Sequence, residues 1–323
     1  MQVLLLARNV APSQAFSKIF PSLEAREVKT EVILGNGKSD PLQFPGQEAI
    51  VKAVQNAEIV LLGISSPVQF SEAERFTAKE AMRSRKTFGF FSDTFGNWRA
   101  KWLAPYLASA NFLFVVSESE AQQAGREFPD LTVVVTGNPV WEDFFSPKMT
   151  REAARTALEI DEKTPIILVP GVKSPVVNIM HWSMVCEAVE LSGSNAVVFL
   201  ARHPGDPTPR EVYADLATCG GRNIRWLPDG IKTSDVLPGA DVVIHPGSTI
   251  GIEAAHLRIP IIDFLPPLIR ARMSESFGGN WPLADADVSW QLYKGSAEDL
   301  LEMIQGLLHD PHQLRLRQER VFP

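Results

Sequence analysis

The sequence is poor in cysteine, in long apolar runs and in positive charge, and each shortage excludes a class of protein. Its two cysteines, Cys186 and Cys219, are too few for a disulfide framework or a cysteine-based metal site. No stretch of about 18 apolar residues occurs, so we expect no membrane-spanning helix. Acidic residues outnumber basic residues by 38 to 31, which argues against nucleic acid as the main partner. Together these features predict a cytoplasmic protein.

The remaining composition is that of a globular protein long enough for two domains. The chain has 323 residues, and roughly 100–200 residues per domain is usual. Hydrophobic residues make up 45% of the chain, which is enough to build two cores. Near residue 150 the pattern changes to a charged helix, Arg151 to Leu158, and a polar stretch, Asp161 to Thr164. We therefore expect two domains, residues 1–150 and residues 151–323.

Short apolar or β-branched runs alternate with helical patterns through both halves of the chain. The predicted strands are residues 3–7, 31–34, 59–62, 86–91, 112–116, 132–135, 166–169, 196–200, 224–227, 242–244, 261–262 and 290–293. Ser71 and Glu74 have the spacing of a reciprocal capping box at the start of one helix. Strands that alternate with helices form parallel sheets covered on both faces. The expected fold class is therefore α/β, with two doubly wound, Rossmann-like domains that face one cleft.

Three loops in the second half of the chain combine backbone access with polar donors. They follow predicted strands, and ligands of parallel sheets bind at the carboxyl ends of the strands. The candidate binding residues in them are Gly171, Lys173, Arg202, His203, His245, Gly247, Ser248 and Thr249. Each loop alone is equally typical of an ordinary turn, but the coincidence of three favours a binding site for a phosphate or pyrophosphate.

The third of these loops leads into a helix that begins at Ser248 or Thr249. Free backbone N–H groups and the positive end of the helix dipole favour an anion at such a position. Glu253 lies four residues after Thr249, whereas a capping box needs a spacing of three. Glu253 is instead well placed to accept hydrogen bonds from the hydroxyls of a sugar.

Four motifs resemble the carboxyl-terminal half of GT-B superfamily glycosyltransferases. They are Val-Thr-Gly-Asn-Pro-Val at 135–140, Pro-Gly-Val-Lys at 170–173, Arg-His-Pro at 202–204, and the stretch 240–262 with His-Pro-Gly-Ser-Thr and Glu-Ala-Ala. The resemblance covers about residues 130–310 and is strongest to the group of lipid-A-disaccharide synthase and UDP-N-acetylglucosamine 2-epimerase. The first half of the chain resembles the superfamily only in its alternation of strands and helices.

The resemblance implies a metal-independent glycosyltransferase with no cofactor besides its nucleotide-sugar substrate, which is UDP- or CMP-linked. The second domain would hold this donor and the first domain the acceptor. Glu253 would contact the ribose, and Gly247, Ser248, Thr249 and His203 the phosphates. The acceptor, a saccharide or a lipid, stays open. A role in cell-surface polysaccharide or glycolipid synthesis, with peripheral contact at a membrane, fits these implications.

No motif identifies the catalytic base. Transfer to a hydroxyl needs a carboxylate or a histidine within hydrogen-bond reach of the acceptor. Asp93, at the end of the fourth strand, is the first candidate and Glu118 the second, although an Asx turn also accounts for Asp93. The nearby aromatic residues fit core packing better than an acceptor groove; these are Phe90, Phe91, Phe95, Trp98 and Trp102.

Two departures from known sequence patterns bear on the alternative functions. The first strand is followed by Arg8-Asn9-Val10-Ala11-Pro12 where many GT-B enzymes have a Gly-His or Gly-Gly loop. This departure leaves open a non-catalytic subunit that binds a nucleotide sugar or a partner. A nucleotide-sugar 2-epimerase of the same fold is the alternative enzyme, although the histidine-rich and Asp-Ser-Gly-Gly patterns of epimerases are absent.

Overall fold

The structure is a computed structural model that describes residues 1–35, 45–65, 68, 71–193, 195–214, 216, 223–271, 282–293 and 295–322. Cys219 lies outside these residues. The described chain divides into two compact units, one that ends at Glu142 and one that begins at Asp143. The boundary expected near residue 150 lies slightly further along the chain. The assignment of the two halves to acceptor and donor stays a prediction.

The first unit contains a six-stranded parallel sheet in the order β2-β1-β3-β4-β5-β6. Its strands are β1 Gln2–Ala7, β2 Lys29–Leu34, β3 Ile59–Gly63, β4 Thr87–Phe91, β5 Phe112–Val115 and β6 Thr132–Val135. Its helices are α1 Val10–Glu24, α2 Gln47–Asn56, α3 Glu72–Arg83, α4 Ala104–Leu107 and α5 Glu118–Glu127, with a 3-10 turn at Asn97–Arg99. Leu4 and Leu6 belong to one core and Val3, Leu5 and Ala7 to another, because both faces of the sheet are covered.

The second unit contains another six-stranded parallel sheet, in the order β12-β11-β10-β7-β8-β9. Its strands are β7 Ile166–Pro170, β8 Val197–Ala201, β9 Ile224–Trp226, β10 Val242–His245, β11 Ile261–Phe264 and β12 Trp290–Leu292. Its helices are α6 Arg151–Ala157, α7 Pro175–Ser192, α8 Thr233–Val236, α9 Ile250–His256, α10 Pro282–Asp285, α11 Ala297–His309 and α12 His312–Val321. The expected α/β class with two doubly wound sheets is confirmed.

The register of the second sheet brings the three predicted loops to one edge. Val243 pairs with Leu168 across β10 and β7, and Pro170 pairs with Ala201 across β7 and β8. The three strands therefore end side by side. The strand order reverses between β7 and β10, and such a switch point is where parallel α/β sheets bind ligands.

The predicted capping box at Ser71 and Glu74 is wrong. The Ser71 hydroxyl donates to the backbone carbonyl of Val68 at 2.7 Å, and the side chain caps no helix N–H. Glu74 is fully buried and accepts a hydrogen bond from the backbone N–H of Arg8 at 2.8 Å. A carboxylate on the buried face of α3 needs a partner in the interior, and Arg8 provides one.

The aromatic residues around β4 pack mainly in the core, as the sequence suggested. Phe90 and Trp98 are almost wholly buried in one core and Phe91 in the other, and Trp102 packs against the core that contains Phe90. Phe95 stacks on Trp141 with ring centroids 5.5 Å apart.

The structure also adds a helix that the sequence did not predict, α12, whose Leu314 and Gln318 are buried. Of the helices in the described ranges, none combines the length and the apolar character that crossing a bilayer demands.

Candidate functional site

Gly171, directly after β7, is required by close packing. A Cβ at this position would lie 2.6 Å from the Trp182 ring and 2.9 Å from Asn178 Oδ1. The Gly171 N–H donates to the carbonyl of Ala201, the last residue of β8, at 2.7 Å. The loop after β7 therefore lies directly against α7 and is tied to the end of the neighbouring strand.

Asn178, on α7, holds the same loop through hydrogen bonds to its backbone. Its Oδ1 accepts from the Val172 N–H at 2.7 Å, and its Nδ2 donates to the Val172 carbonyl at 2.8 Å. Nδ2 also donates to Asp206 Oδ2 at 3.0 Å. Because Asn178 is fully buried, these hydrogen bonds are shielded from water and fix the loop after β7 against the loop after β8.

Asp206 organises the loop after β8. It accepts from the Tyr213 hydroxyl at 2.9 Å and from the Thr208 N–H at 3.0 Å. Burial alone would raise the pKa of Asp206, but these hydrogen bonds outweigh it and lower that pKa. The Arg202 guanidinium donates to the carbonyls of Asp206 and Thr208, so it closes this loop onto itself.

His203 presents one ring nitrogen to the loop. Its Nδ1 accepts from the Gly205 N–H at 2.9 Å, so the neutral ring carries its proton on Nε2. Burial and the nearby Lys173 ammonium lower the pKa of His203. The ring is therefore a neutral Nε2–H donor at pH 7.

His245, the last residue of β10, shapes the third loop from inside the protein. It is fully buried, and its Nδ1 faces the N–H groups of Gly247 and Ser248, each at 3.1 Å. Its Nε2 lies 3.0 Å from Asp263 Oδ1 at the end of β11. A Cβ on Gly251 would lie 2.0 Å from this Nε2. The ring thus fixes the turn at the start of α9.

Ser248 Oγ accepts from the Ile250 N–H at 3.4 Å, whereas the Thr249 side chain caps no N–H of α9. Glu253 lies one turn further along α9 and is half-buried. Burial, and then the nearby Asp235 carboxylate, raise the pKa of Glu253 to about 7. At neutral pH this carboxyl is therefore close to half ionised.

Five of the predicted binding residues line one cavity of about 450 Å³ at the switch point: Gly171, Arg202, His203, Ser248 and Thr249. Lys173, His245, Gly247 and Glu253 are not among its lining residues. The cavity extends along the loop after β9, from Trp226 to Ser234, and to Arg210, whose guanidinium lies 5.3 Å from the centre of the Trp226 ring. None of the candidate binding residues lies in this loop, although its position after a predicted strand could have identified it.

Asp93 lies in the first unit, just after β4, and is 6% exposed. Its Oδ1 accepts from Asn97 Nδ2 at 2.7 Å, and its backbone carbonyl accepts from Asn138 Nδ2 at 2.7 Å. Burial raises the pKa of Asp93 to about 6, and the Asn97 hydrogen bond limits the rise. Asp93 is therefore a largely ionised carboxylate near neutral pH, with a stronger proton affinity than an exposed one.

The second candidate base, Glu118, is exposed at the start of α5. Its neighbour Glu120 is buried, and both of its carboxylate oxygens lie 3.0 Å from the Gly96 nitrogen. Gly96 has a φ of 68°, which glycine adopts without strain. Burial raises the pKa of Glu120. The structure thus places Glu120, which the sequence analysis passed over, against the loop that carries Asp93.

Glu74 is a further buried acid at the switch point between β1 and β3. Its Oε1 accepts from the Ser65 hydroxyl as well as from the Arg8 N–H, and the Asn9 N–H donates to Ser65 Oγ at 3.1 Å. Burial raises the pKa of Glu74. The sequence could have predicted the burial of Glu74, because it lies four residues before Ala78 on the apolar face of α3.

No set of three or more histidine, cysteine, aspartate or glutamate side chains among the described residues is arranged to hold a metal ion. The candidate nucleotide loops instead offer backbone N–H groups, hydroxyls, the His203 ring and the Lys173 ammonium. Donors of this kind suit phosphate groups.

No protein-family model matches the chain, and no curated protein matches its sequence. Solved structures do match its fold over nearly the whole length. UDP-GlcNAc 2-epimerase from Neisseria meningitidis, solved with UDP-GlcNAc bound, matches with a TM-score of 0.67 at 12% identity, over 98% of this chain and 94% of that chain.

Two further solved structures match the fold over nearly the whole chain. Anabaena HepE in complex with UDP matches with a TM-score of 0.63 at 13% identity, over 100% of this chain and 94% of that chain. MurG from Acinetobacter baumannii matches with a TM-score of 0.57 at 15% identity, over 99% and 94%. Likeness at such low identity identifies the architecture of the two units. The chain therefore has the GT-B fold, as its motifs implied.

Proposed function

We propose that the protein is a glycosyltransferase that takes its sugar from a nucleotide-sugar donor held by the second unit. One observation carries the proposal: Gly171, His203, Ser248 and Thr249, from three separate loops, line one cavity at the switch point of the sheet. A volume of about 450 Å³ lies within the range of small-molecule sites.

Each part of a nucleoside diphosphate has a chemically suitable partner. The start of α9, with Ser248 and Thr249, favours the phosphates through hydroxyls and helix N–H groups. His203 Nε2–H and the Lys173 ammonium add two donors, so the proposal needs no metal ion. Glu253, which lies outside the cavity lining but one turn along α9 from Thr249, accepts hydrogen bonds from the ribose hydroxyls. The part of the cavity along the loop after β9 is left for the nucleobase.

Asp93 is the proposed base for transfer. It takes the proton of an acceptor hydroxyl while the oxygen of that hydroxyl bonds to the anomeric carbon of the sugar. The bond between this carbon and the phosphate oxygen breaks, and its electron pair leaves with the nucleotide, which is UDP for a UDP-linked sugar and CMP for a CMP-linked sugar. A pKa of about 6 suits a base that works near neutral pH, since it is mostly ionised there and still binds a proton strongly.

A nucleotide-sugar 2-epimerase is the second candidate. The fold matches the Neisseria meningitidis epimerase with a TM-score of 0.67, compared with 0.63 for HepE and 0.57 for MurG. In addition, three buried acids with raised pKa values, Glu74, Asp93 and Glu120, lie in the loops and helices at one edge of the first sheet. Such acids could exchange protons with a bound sugar.

One assay separates the candidates. The protein is incubated with UDP-linked and CMP-linked sugars, with and without saccharide and lipid acceptors, and the products are analysed by mass spectrometry and for released nucleotide. We expect nucleotide release matched by a new glycoside only when an acceptor is present. An isomerised nucleotide sugar without acceptor would instead identify an epimerase, and binding without any product a non-catalytic subunit.

The Asp93→Asn variant tests the proposed base in the same assay. Turnover should be lost while nucleotide affinity stays unchanged, because Asp93 lies in the other unit. Glu118→Gln tests the second candidate base, and Glu127→Gln, an exposed acid on the same helix, is the matched control. Normal turnover in Asp93→Asn would remove Asp93 from the mechanism.

A further inference from the structure

Asn97 connects two neighbouring loops at the carboxyl edge of the first sheet. Its Nδ2 donates to Asp93 Oδ1 at 2.7 Å and to the carbonyl of Ile64 at 3.1 Å. Asp93 follows β4 and Ile64 follows β3, and these strands are adjacent. Asn97 is 5% exposed, so both hydrogen bonds are made away from water. The amide therefore fixes the Asp93 carboxyl relative to the adjacent strand end as well as to its own loop.

The backbone of the Asp93 loop is held separately from its carboxyl group. Asn138 Nδ2 donates to the Asp93 carbonyl at 2.7 Å. Glu120 accepts the Gly96 N–H, with both oxygens 3.0 Å from the nitrogen. These contacts do not involve the Asp93 side chain. Within the described part of the chain, the side-chain contact that orients the carboxyl is the one from Asn97.

The two oxygens of Asp93 are consequently not equivalent. Oδ1 is engaged by Asn97, while no side chain of another described residue donates to Oδ2. Asp93 is 6% exposed, and its own backbone N–H is a further donor to the carboxyl group. A carboxylate held by one oxygen presents the other in a defined direction, and this lowers the entropic cost of reaching a reactive geometry.

We propose that Asn97 is a positioning residue, which turns Asp93 Oδ2 towards the acceptor hydroxyl by occupying Oδ1. This inference rests on the proposed function, in which Asp93 is the base. The Ile64 carbonyl in the loop after β3 contributes as well, because it accepts the second hydrogen bond of the Asn97 amide and so helps to orient it. Asn97 touches neither the acceptor nor the donor in this account.

Two substitutions of Asn97 make the inference measurable. The hydrogen bond from Asn97 stabilises the ionised form of Asp93, so Asn97→Ala should raise the Asp93 pKa above its value of about 6. Asn97→Asp should raise it further, because a second carboxyl replaces the donor. The other acids near this loop, Glu120 on α5 and Glu74 on α3, are unchanged in both variants. The control is Asn138→Ala, which removes an equally short hydrogen bond from the Asp93 backbone.

The first readout is the ionisation of Asp93, followed by carbon NMR of labelled aspartate carboxyls in the full-length protein, with Asp93→Asn used for assignment. The second readout is the pH profile of turnover with a UDP-linked sugar. In Asn97→Ala we expect the acid limb of kcat to move to higher pH together with the Asp93 pKa. At pH 8 we expect kcat to fall about tenfold or more with the KM of the donor unchanged. Asn138→Ala should leave the acid limb in place.

The outcomes separate this inference from the proposed function. An Asp93 pKa that stays unchanged in Asn97→Ala and Asn97→Asp would overturn the inference, whether or not the protein is a transferase. A shifted pKa with an unshifted acid limb would overturn it as well. Absence of turnover in the wild-type protein would refute the proposed function, and the inference with it. If Asn97→Ala does not fold, Asn97→Asp carries the same two readouts.

Discussion

Asn178 Nδ2 donates to Asp206 Oδ2 at 3.0 Å, and this hydrogen bond joins α7, which holds the loop after β7, to the loop after β8. Neither residue is among those that line the cavity. The shape of the candidate nucleotide site therefore depends on a buried polar layer beneath its lining. Substitutions in that layer should change stability and nucleotide affinity together, whereas substitution of a lining side chain such as Thr249, which caps no helix N–H, should change affinity alone.

Asn178→Ala should destabilise the second unit by at least about 2 kcal/mol, because it leaves the N–H and carbonyl of Val172 without their buried partner and removes one of the two hydrogen bonds to Asp206 Oδ2. Urea unfolding monitored by tryptophan fluorescence measures this, since Trp182 packs beside the loop. Nucleotide affinity should fall in the same variant. If the variant is as stable as the wild-type protein, water has replaced the lost hydrogen bonds.

Gly251→Ala should also destabilise the protein, by about 1–3 kcal/mol. The new Cβ would lie 2.0 Å from Nε2 of the buried His245 ring, which cannot move without leaving Asp263. Gly125→Ala, on α5, is the matched control because a Cβ there meets nothing within 4 Å. The control should gain about 0.5–1 kcal/mol from helix propensity. Equal effects at both sites in thermal unfolding would contradict the packing argument.

Nucleotide binding should strengthen as pH rises through about 7, because Glu253 binds ribose hydroxyls best when ionised. Glu253→Gln should bind more weakly at pH 8 and lose this pH dependence.

The stability of the free protein should change with pH in the opposite sense. The raised pKa of Glu253 means that its contribution is fully present below the unfolded value of about 4.5 and is lost as pH rises through about 7. Titration calorimetry across pH 5.5–8.5 measures the first effect and thermal unfolding the second.

Asp235→Asn should shift the binding profile to lower pH. The Asp235 carboxylate is one cause of the raised Glu253 pKa, so its removal should let Glu253 ionise earlier. At pH 6 the variant should bind nucleotide more tightly than the wild-type protein, and at pH 8 about equally. An unchanged profile would mean that burial alone sets the Glu253 pKa.

The sequence was most informative where local pattern determines structure. Apolar runs such as Val242–Ile244 identified the strands, and parallel topology then predicted that Gly171, His203 and Ser248 would lie at one sheet edge. It was least informative where function depends on contacts between distant residues. Glu74 has the spacing of a cap to Ser71, yet its partner Arg8 lies 66 residues away in the chain. Asn178 reads as an ordinary helix residue because its role depends on the distant Asp206.

The most direct test of the account is titration calorimetry of UDP with the wild-type protein and with Glu253→Ala at pH 8. Glu302→Ala, an exposed acid on α11, is the control. We expect the wild-type protein and the control to bind UDP equally, and Glu253→Ala to lose at least about 1 kcal/mol of binding free energy, or about fivefold in affinity. Unchanged binding in Glu253→Ala would remove this residue from the site. If neither UDP nor CMP binds the wild-type protein, the second unit is not a nucleotide-sugar site and the central claim is wrong.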